Sequence, residues 1–154
     1  MADKPRMPYT TATAMEIQRR ANILQTSVPR RTVVDTEVMG FKIPKNTMID
    51  ADLHHMLHHD PLFEDPMELR PERFLNADGR TLNKEAVDRS MPFGLGRRQC
   101  AGEGLARVEL FLGLAATVQA YRIEPPSSGK TVDLEPQLFG IMLPKQQSVR
   151  LVPI

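Results

Sequence analysis

The stretch from Pro92 to Gly104 reads PFGLGRRQCAGEG and surrounds Cys100, the single cysteine of the chain, with four of the nine glycines. A long window without proline follows, so we expect Cys100 at the start of a helix. The N-terminus of a helix carries a partial positive charge and unpaired N–H donors, which stabilise a thiolate, and Arg97 and Arg98 add positive charge nearby. Because glycines lack a Cβ, the backbone here can approach a large flat group.

Four chemistries compete for a lone cysteine in such a loop. Phosphate transfer requires C-x5-R, but that position is Ala106, and Arg107 comes one residue later, about 100° further round a helix. A Cys–His hydrolase requires a histidine close to the cysteine in space. The histidines at 54, 55, 58 and 59 could fill this role, but no hydrolase signature accompanies them. A nucleotide loop lacks G-x-x-x-x-G-K-[ST], and Gln99 replaces the third Rossmann glycine. Thiolate ligation of haem iron is the fourth chemistry, and it accounts for all three features of the loop. The cysteine would be the iron ligand, the arginines would pair with the haem propionates, and the glycines would make room for the porphyrin.

The composition excludes several classes of protein. The chain has 154 residues, enough for one domain, and its net charge of +1 removes the main argument for a nucleic-acid partner. One cysteine cannot form an intrachain disulfide or a cysteine-rich zinc site. The longest nearly apolar run, Val108 to Val118, is too short to span a membrane. From composition alone we therefore expect a soluble chain in a reducing compartment.

The prolines, 13 in all, divide the chain into predicted elements. Thr13 and Glu16 have capping-box spacing, in a helix expected from about Thr11 to Leu24. The long helix after Cys100 should bury one face. That face consists of Leu105, Val108, Leu112, Ala115 and Ala116. The other expected elements are a strand at Phe41–Ile43 returning at Thr47–Ile49, a helix at Asp52–His59, an irregular stretch from Asp60 to Asn76, and strands at Thr131–Leu134 and Ser148–Val152.

The cysteine loop resembles a known signature. The pattern F-x-x-G-x-x-x-C-x-G, filled by Phe93, Gly96, Cys100 and Gly102, is similar to the haem-binding motif of the cytochrome P450 monooxygenases. Arg98, two residues before the cysteine, fits the same pattern. The likeness to microsomal animal members extends from about residue 7 to residue 154.

Two further motifs occur in the order that this family shows. Glu16 and Arg19 fit the E-x-x-R helix, although such spacing alone is common on surface helices. The sequence PERF at residues 71–74 resembles the motif of the family's meander region. The resemblance implies that Arg73 completes a structural network with Glu16 and Arg19.

The resemblance also implies a fold and a cofactor. We expect a mainly α fold with small β-sheets, α+β in this chain, forming the C-terminal part of the cytochrome P450 fold with the distal half missing. Residues 1–154 would be a partial domain with an E-x-x-R helix, small sheet, meander, cysteine loop, proximal helix and C-terminal hairpin. The implied cofactor is haem b. Its site residues would be Cys100 as axial iron ligand, Arg98 and Arg30 at the propionates, and Phe93 and Gly102 in the loop.

Other implied roles are less specific. Val28, Phe139 and Ile141 match segments that line the family's substrate pocket, and they could equally be ordinary core residues. Zinc binding by the histidine cluster at 54–59 is disfavoured, because no HExxH motif or distant carboxylate completes a site. Basic residues near the cysteine could dock an acidic electron donor or could simply be solvated.

By resemblance, the complete enzyme would insert one atom of O2 into a small apolar substrate and release the other as water. Electrons would come from NADPH through NADPH-cytochrome reductase or a cytochrome b-type donor, at the cytosolic face of the endoplasmic reticulum membrane. Family members are considerably longer, with a membrane anchor and a distal helix, so we expect this chain to be an inactive part with exposed or collapsed apolar surface. The alternative is a non-catalytic haem-binding or interaction module.

Overall fold

The computed structural model describes residues 3–126, 131–138 and 140–154. In these ranges the chain forms helices joined by small two-stranded antiparallel sheets, which confirms the expected mixed fold class. The helices are α1 (Pro8–Ala21), α2 (Leu53–His59), α3 (Lys84–Arg89) and α4 (Glu103–Ala120), with 3-10 turns at Lys4–Arg6, Pro71–Phe74 and Gly96–Arg98. The strands are β1 (Arg30–Arg31), β2 (Thr36–Val38), β3 (Phe41–Ile43), β4 (Met48–Ile49), β5 (Tyr121–Glu124), β6 (Pro136–Leu138), β7 (Met142–Pro144) and β8 (Arg150–Pro153).

Helix α1 begins earlier than expected. Pro8 occupies its first turn, where the fixed φ of proline suits a helix and the missing N–H costs nothing. Thr13 therefore lies inside the helix and its hydroxyl donates to the carbonyl of Tyr9 at 2.8 Å. The predicted capping box is wrong. The helix ends at Ala21, where Asn22 adopts the left-handed conformation with φ of +38°.

The first sheets differ from the prediction in their pairing. Strand β3 pairs with β2 through a two-residue turn at Met39 and Gly40, both with positive φ, as in a type I′ hairpin. Strand β4 was expected to return against β3, but it pairs with β1 instead. The side chain of Thr32 explains this, because it donates to the carbonyl of Pro44 at 2.7 Å and so holds the chain after β3 beside β1.

The hydrophobic core lies between α1, α3 and the irregular segment that precedes α3. It consists of Ala12, Phe63, Phe74, Leu75 and Ala86, all buried. Helix α1 also contacts α2 and α4. The stretch from 60 to 76 is irregular, as expected, apart from the turn at Pro71–Phe74.

Helix α4 packs with a face that overlaps the predicted one only in part. Ala115, which belongs to the predicted face, is buried together with Phe111, and Val108 is half-buried, whereas Leu105, Leu112 and Ala116 are exposed. The segment that α4 meets is α1, far away in sequence, and this contact decides which face is covered. Helix α4 carries apolar residues on several sides, so its periodic pattern alone cannot predict which side is buried.

The C-terminal region forms two antiparallel strand pairs. Strand β5 pairs with β8, and β6 pairs with β7, whose Met142 amide donates to the carbonyl of Ile23 at 2.8 Å. The predicted strand at Thr131–Leu134 is wrong. Asp133 instead accepts hydrogen bonds from Lys145 Nζ at 2.6 Å and from the Glu135 amide at 2.9 Å, which bends the chain. Among the helices that the structure describes, none combines the length and apolar character needed to cross a bilayer.

Candidate functional site

The cysteine loop is closed by backbone hydrogen bonds. The amide of Cys100 donates to the carbonyl of Phe93 at 2.9 Å, and the amide of Gln99 donates to the carbonyl of Gly96 at 3.1 Å. Gly94 and Gly96 have φ of +74° and +76°, in the left-handed region that side chains with a Cβ rarely adopt. The turn therefore requires glycine at Gly96, a motif position, and also at Gly94, which the motif leaves open.

The thiol of Cys100 is exposed. It lies three residues before α4, rather than at the first residue of the helix, and Gly102 is the N-cap residue. A Cβ at Gly102 would lie 3.8 Å from Cys100 Sγ, whereas a Cβ at Gly96 or Gly104 would meet nothing within 4 Å. An exposed sulfur beside open glycine backbone fits a large planar group such as haem.

Phe93, at the other end of the loop, is half-buried. The guanidinium of Arg107 lies over its ring, with 5.4 Å between the guanidinium carbon and the ring centroid. Arg107 Nε also donates to Glu103 Oε1 at 2.7 Å. Sequence reasoning missed this contact, and the i, i+4 spacing of Glu103 and Arg107 was its only signal.

The two candidate propionate partners lie on separate elements. Arg98 ends the 3-10 turn before the cysteine, and Arg30 opens β1. Both are exposed, and neither forms an ion pair with another residue that the structure describes. Exposed guanidinium groups of this kind fit the carboxylates of a haem.

The structure brings Glu16, Arg19 and Arg73 together in one buried cluster. Arg19 donates twice to the Glu16 carboxylate, Nε at 2.7 Å and Nη2 at 2.9 Å, and Arg73 Nε donates to Glu16 Oε1 at 3.0 Å. The side chains of Glu16 and Arg19 are fully buried and that of Arg73 is 4% exposed. A fourth donor, the amide of Arg70, reaches Glu16 Oε1 at 3.1 Å. Ionised groups tolerate burial only with such complete pairing.

The same arginines hold the last turn of α2 and the irregular segment after it by their carbonyls. Arg19 donates to the carbonyls of Leu57 at 2.9 Å and Pro66 at 2.6 Å. Arg73 donates to the carbonyls of Glu64, Asp65 and Glu68 at 2.7, 3.1 and 3.3 Å. Sequence reasoning missed Arg20, whose Nε donates to the Met67 carbonyl at 3.0 Å. The signal was the adjacent arginine pair facing a proline-rich stretch without regular backbone pairing.

Two of the three residues expected near a substrate are described by the structure, and neither is buried in the core. Val28 is 75% exposed and Ile141 is 37% exposed. Phe139 lies outside the described residues. The exposed positions of Val28 and Ile141 leave both of them free to contact another surface or a ligand.

The histidine cluster forms stacked pairs along α2. The rings of His54 and His58 stack with centroids 4.3 Å apart, and those of His55 and His59 with centroids 4.9 Å apart. Burial lowers the pKa of His58 to about 4, so this ring is neutral near pH 7. Within the described ranges, no group of three or more histidine, cysteine, aspartate or glutamate residues is arranged to hold a metal ion.

An exposed cysteine in a glycine loop before a long helix, together with a buried Glu–Arg–Arg cluster, is the arrangement expected of a haem-thiolate protein. The family model described as "Cytochrome P450" matches residues 1–150. The chain therefore belongs to the cytochrome P450 family, whose members bind haem iron as their cofactor.

Three relatives illustrate the similarity. Human cytochrome P450 1A2 is 40% identical over 143 residues, which cover 93% of this chain and 27% of the relative. Cytochrome P450 2D20 of Mesocricetus auratus is 44% identical over 127 residues, 82% of this chain and 25% of the relative. Cytochrome P450 2C2 of Oryctolagus cuniculus is 39% identical over 155 residues, 100% of this chain and 31% of the relative. The chain thus spans between a quarter and a third of the length of these relatives.

Proposed function

We propose that this chain forms the proximal haem wall of a cytochrome P450 monooxygenase, in which Cys100 would hold the iron through its thiolate. The observation that carries the proposal is the exposed Cys100 thiol on a loop closed by the Phe93 carbonyl and bordered by Gly96 and Gly102. Membership of the family supports the cofactor.

Bound haem would supply the activation of O2, with one oxygen atom entering an apolar substrate and the other leaving as water with two electrons and two protons. Cys100 would hold the iron as a thiolate ligand, and an electron-rich thiolate would favour the O–O cleavage that bound haem supplies. Arg98 and Arg30 would hold the propionates by charge-assisted hydrogen bonds. Phe93 limits the access of water to the sulfur.

The remaining roles follow from the family. Val28, Phe139 and Ile141 contact the substrate, and Glu16, Arg19 and Arg73 keep the loop region rigid. The electrons come from NADPH through a reductase or a cytochrome b-type donor, at the endoplasmic reticulum membrane. The exposed Arg97 and Arg98 present positive charge near the loop, to which an acidic donor surface can bind.

The test is the replacement Cys100→Ala in the haem-loaded chain. We expect the reduced carbon monoxide complex of the unaltered chain to show the Soret band of thiolate ligation, and the variant to lose it. The matched control is Gln99→Ala, which changes the neighbouring exposed residue and should keep the band. A histidine-type Soret band in the unaltered chain would refute the assignment of Cys100.

A non-catalytic haem-binding or interaction module is the second candidate. Exposed large apolar side chains favour it, among them Leu105 at 65% and Leu112 at 48%, because such surface commonly marks contact with another protein. Incubation of the chain with reductase, NADPH and an apolar substrate separates the two. NADPH-dependent product supports the monooxygenase, whereas a thiolate spectrum without product supports the module.

A further inference from the structure

We propose that Arg107, held by Glu103, is a positioning residue for Phe93 and, through Phe93, for the Cys100 thiolate. The inference rests on the proposed function, in which Cys100 binds the haem iron. Arg107 is the arginine that lies one residue too late for the C-x5-R spacing of a phosphate-transfer loop, and the proposal gives it a different role.

The first step is the contact between Arg107 and Phe93. The guanidinium carbon lies 5.4 Å from the ring centroid, within the cation–π range of about 6 Å. A cation over the ring face favours one ring orientation, because the attraction to the ring quadrupole depends on geometry. The ring of Phe93 is therefore restrained from the side of α4.

The second step is the anchoring of Arg107. Its Nε donates to Glu103 Oε1 at 2.7 Å, and the two side chains are 29% and 26% exposed. Such partial burial makes the pair more ordered than an ion pair on the open surface. Glu103 is the first residue of α4, where the helix dipole favours a carboxylate.

The third step leads from the ring to the sulfur. The carbonyl of Phe93 accepts the hydrogen bond of the Cys100 amide at 2.9 Å, so movement of Phe93 is transmitted to the cysteine backbone. The helix after the cysteine thus reaches back and holds the residue that closes the loop. Groups that surround a metal ligand in this way orient it and tune the metal.

The experiment is a double-mutant cycle with Arg107→Met and Phe93→Leu in the full chain. In the haem-free chain we measure hydrogen exchange of the Cys100 amide. Arg107→Met should accelerate it about threefold to fivefold, the effect of losing one cation–π contact of this exposure. It should have no further effect in the Phe93→Leu background, and Arg107→Lys should restore most of the protection. The amide of Leu112, inside α4, should be unaffected.

A second readout uses the haem-loaded chain. Arg107→Met should lower the fraction of the reduced carbon monoxide complex that shows the thiolate-type band, and Arg107→Lys should preserve it. Equal effects of Arg107→Met with and without the Phe93 ring, or accelerated exchange at Leu112 as well, would overturn the proposal. If the unaltered chain shows no thiolate-type band, the proposed function fails, but the exchange cycle still decides whether Arg107 acts through Phe93.

Discussion

At the scale of single residues, the carboxylate of Glu16 is buried and tightly held by hydrogen bonds. It is fully buried and receives donors from Arg19, Arg73 and the amide of Arg70. Removing an ionised group from water costs several kcal/mol, and these charge-assisted hydrogen bonds offset that cost. Glu16 and Arg19 therefore depend on each other.

Replacement of Arg19 tests this dependence. Arg19→Met should lower the free energy of unfolding by about 3–5 kcal/mol, because it leaves a buried carboxylate with fewer donors and frees the carbonyls of Leu57 and Pro66. Urea unfolding followed by circular dichroism measures the change.

The neighbouring Arg20 is the matched control for Arg19. It makes one hydrogen bond, to the Met67 carbonyl, so Arg20→Met should cost only about 1 kcal/mol. Equal losses of unfolding free energy in the two variants would show that the buried Glu16 carboxylate is not the main reason for the effect of Arg19→Met.

At the scale of elements, helix α2 combines a regular start with an unusual last turn. Asp52 caps the N-terminus by accepting the amide of His55 at 2.8 Å. In the last turn, His58 is buried, and its Nδ1 lies 3.1 Å from the carbonyl of His54. Burial is the largest cause of its lowered pKa, the hydrogen bond to the His54 carbonyl opposes it, and the nearby His54 ring and the guanidinium groups of Arg19 and Arg20 add to it.

The lowered pKa makes the stability of the fold depend on pH. Between the ordinary pKa of about 6.5 and the folded value of about 4, the unfolded chain binds more protons at His58 than the folded chain. The contribution of His58 to stability is therefore complete above pH 6.5 and is lost as the pH falls toward 4. We expect the free energy of unfolding to fall by up to about 1.4 kcal/mol per pH unit in this window.

Urea unfolding at several pH values between 7 and 5 measures this slope. His58→Gln should flatten it, whereas His55→Gln, at an exposed position of the same helix, should leave it steep. A slope that is unchanged in His58→Gln would argue that another group causes the pH dependence.

At the scale of the whole molecule, much apolar surface faces solvent. Helix α4 buries Phe111 and Ala115 against the rest of the chain, while Leu105, Leu112 and Val118 stay exposed. Of the two expected outcomes, exposed or collapsed apolar surface, the structure shows exposed surface. Apolar area that remains in water contributes nothing to stability, so the buried side chains, among them Phe74 and Phe111, have to supply the free energy of folding.

A pair of adjacent residues on α4 tests how the core is divided from the surface. Phe111 is 5% exposed, and Phe111→Ala should lower the free energy of unfolding by about 3–5 kcal/mol. Leu112 is 48% exposed, and Leu112→Ala should lower it by less than about 1 kcal/mol. The reverse order in urea unfolding would mean that the face predicted from periodicity is the one that is covered.

The sequence by itself determined the features that depend on local chemistry. Glycine at positions 94 and 96 of the loop, the stop signals at prolines and the spacing of the family motifs all act over a few residues, so they are readable without a fold. These local signals predict helices α2 and α4, and they place Cys100 before a helix.

The tertiary structure alone decided what depends on residues far apart in the chain. The pairing of β4 with β1, the buried face of α4 and the contact of Arg20 with Met67 each join segments whose neighbours the sequence does not specify. The contact of Arg107 with Phe93 spans fewer residues, yet it requires the turn of the loop and the start of the helix to be fixed together. The physical reason is that burial and hydrogen bonding are settled by the whole packed chain, whereas turn and helix preferences are settled within a few residues.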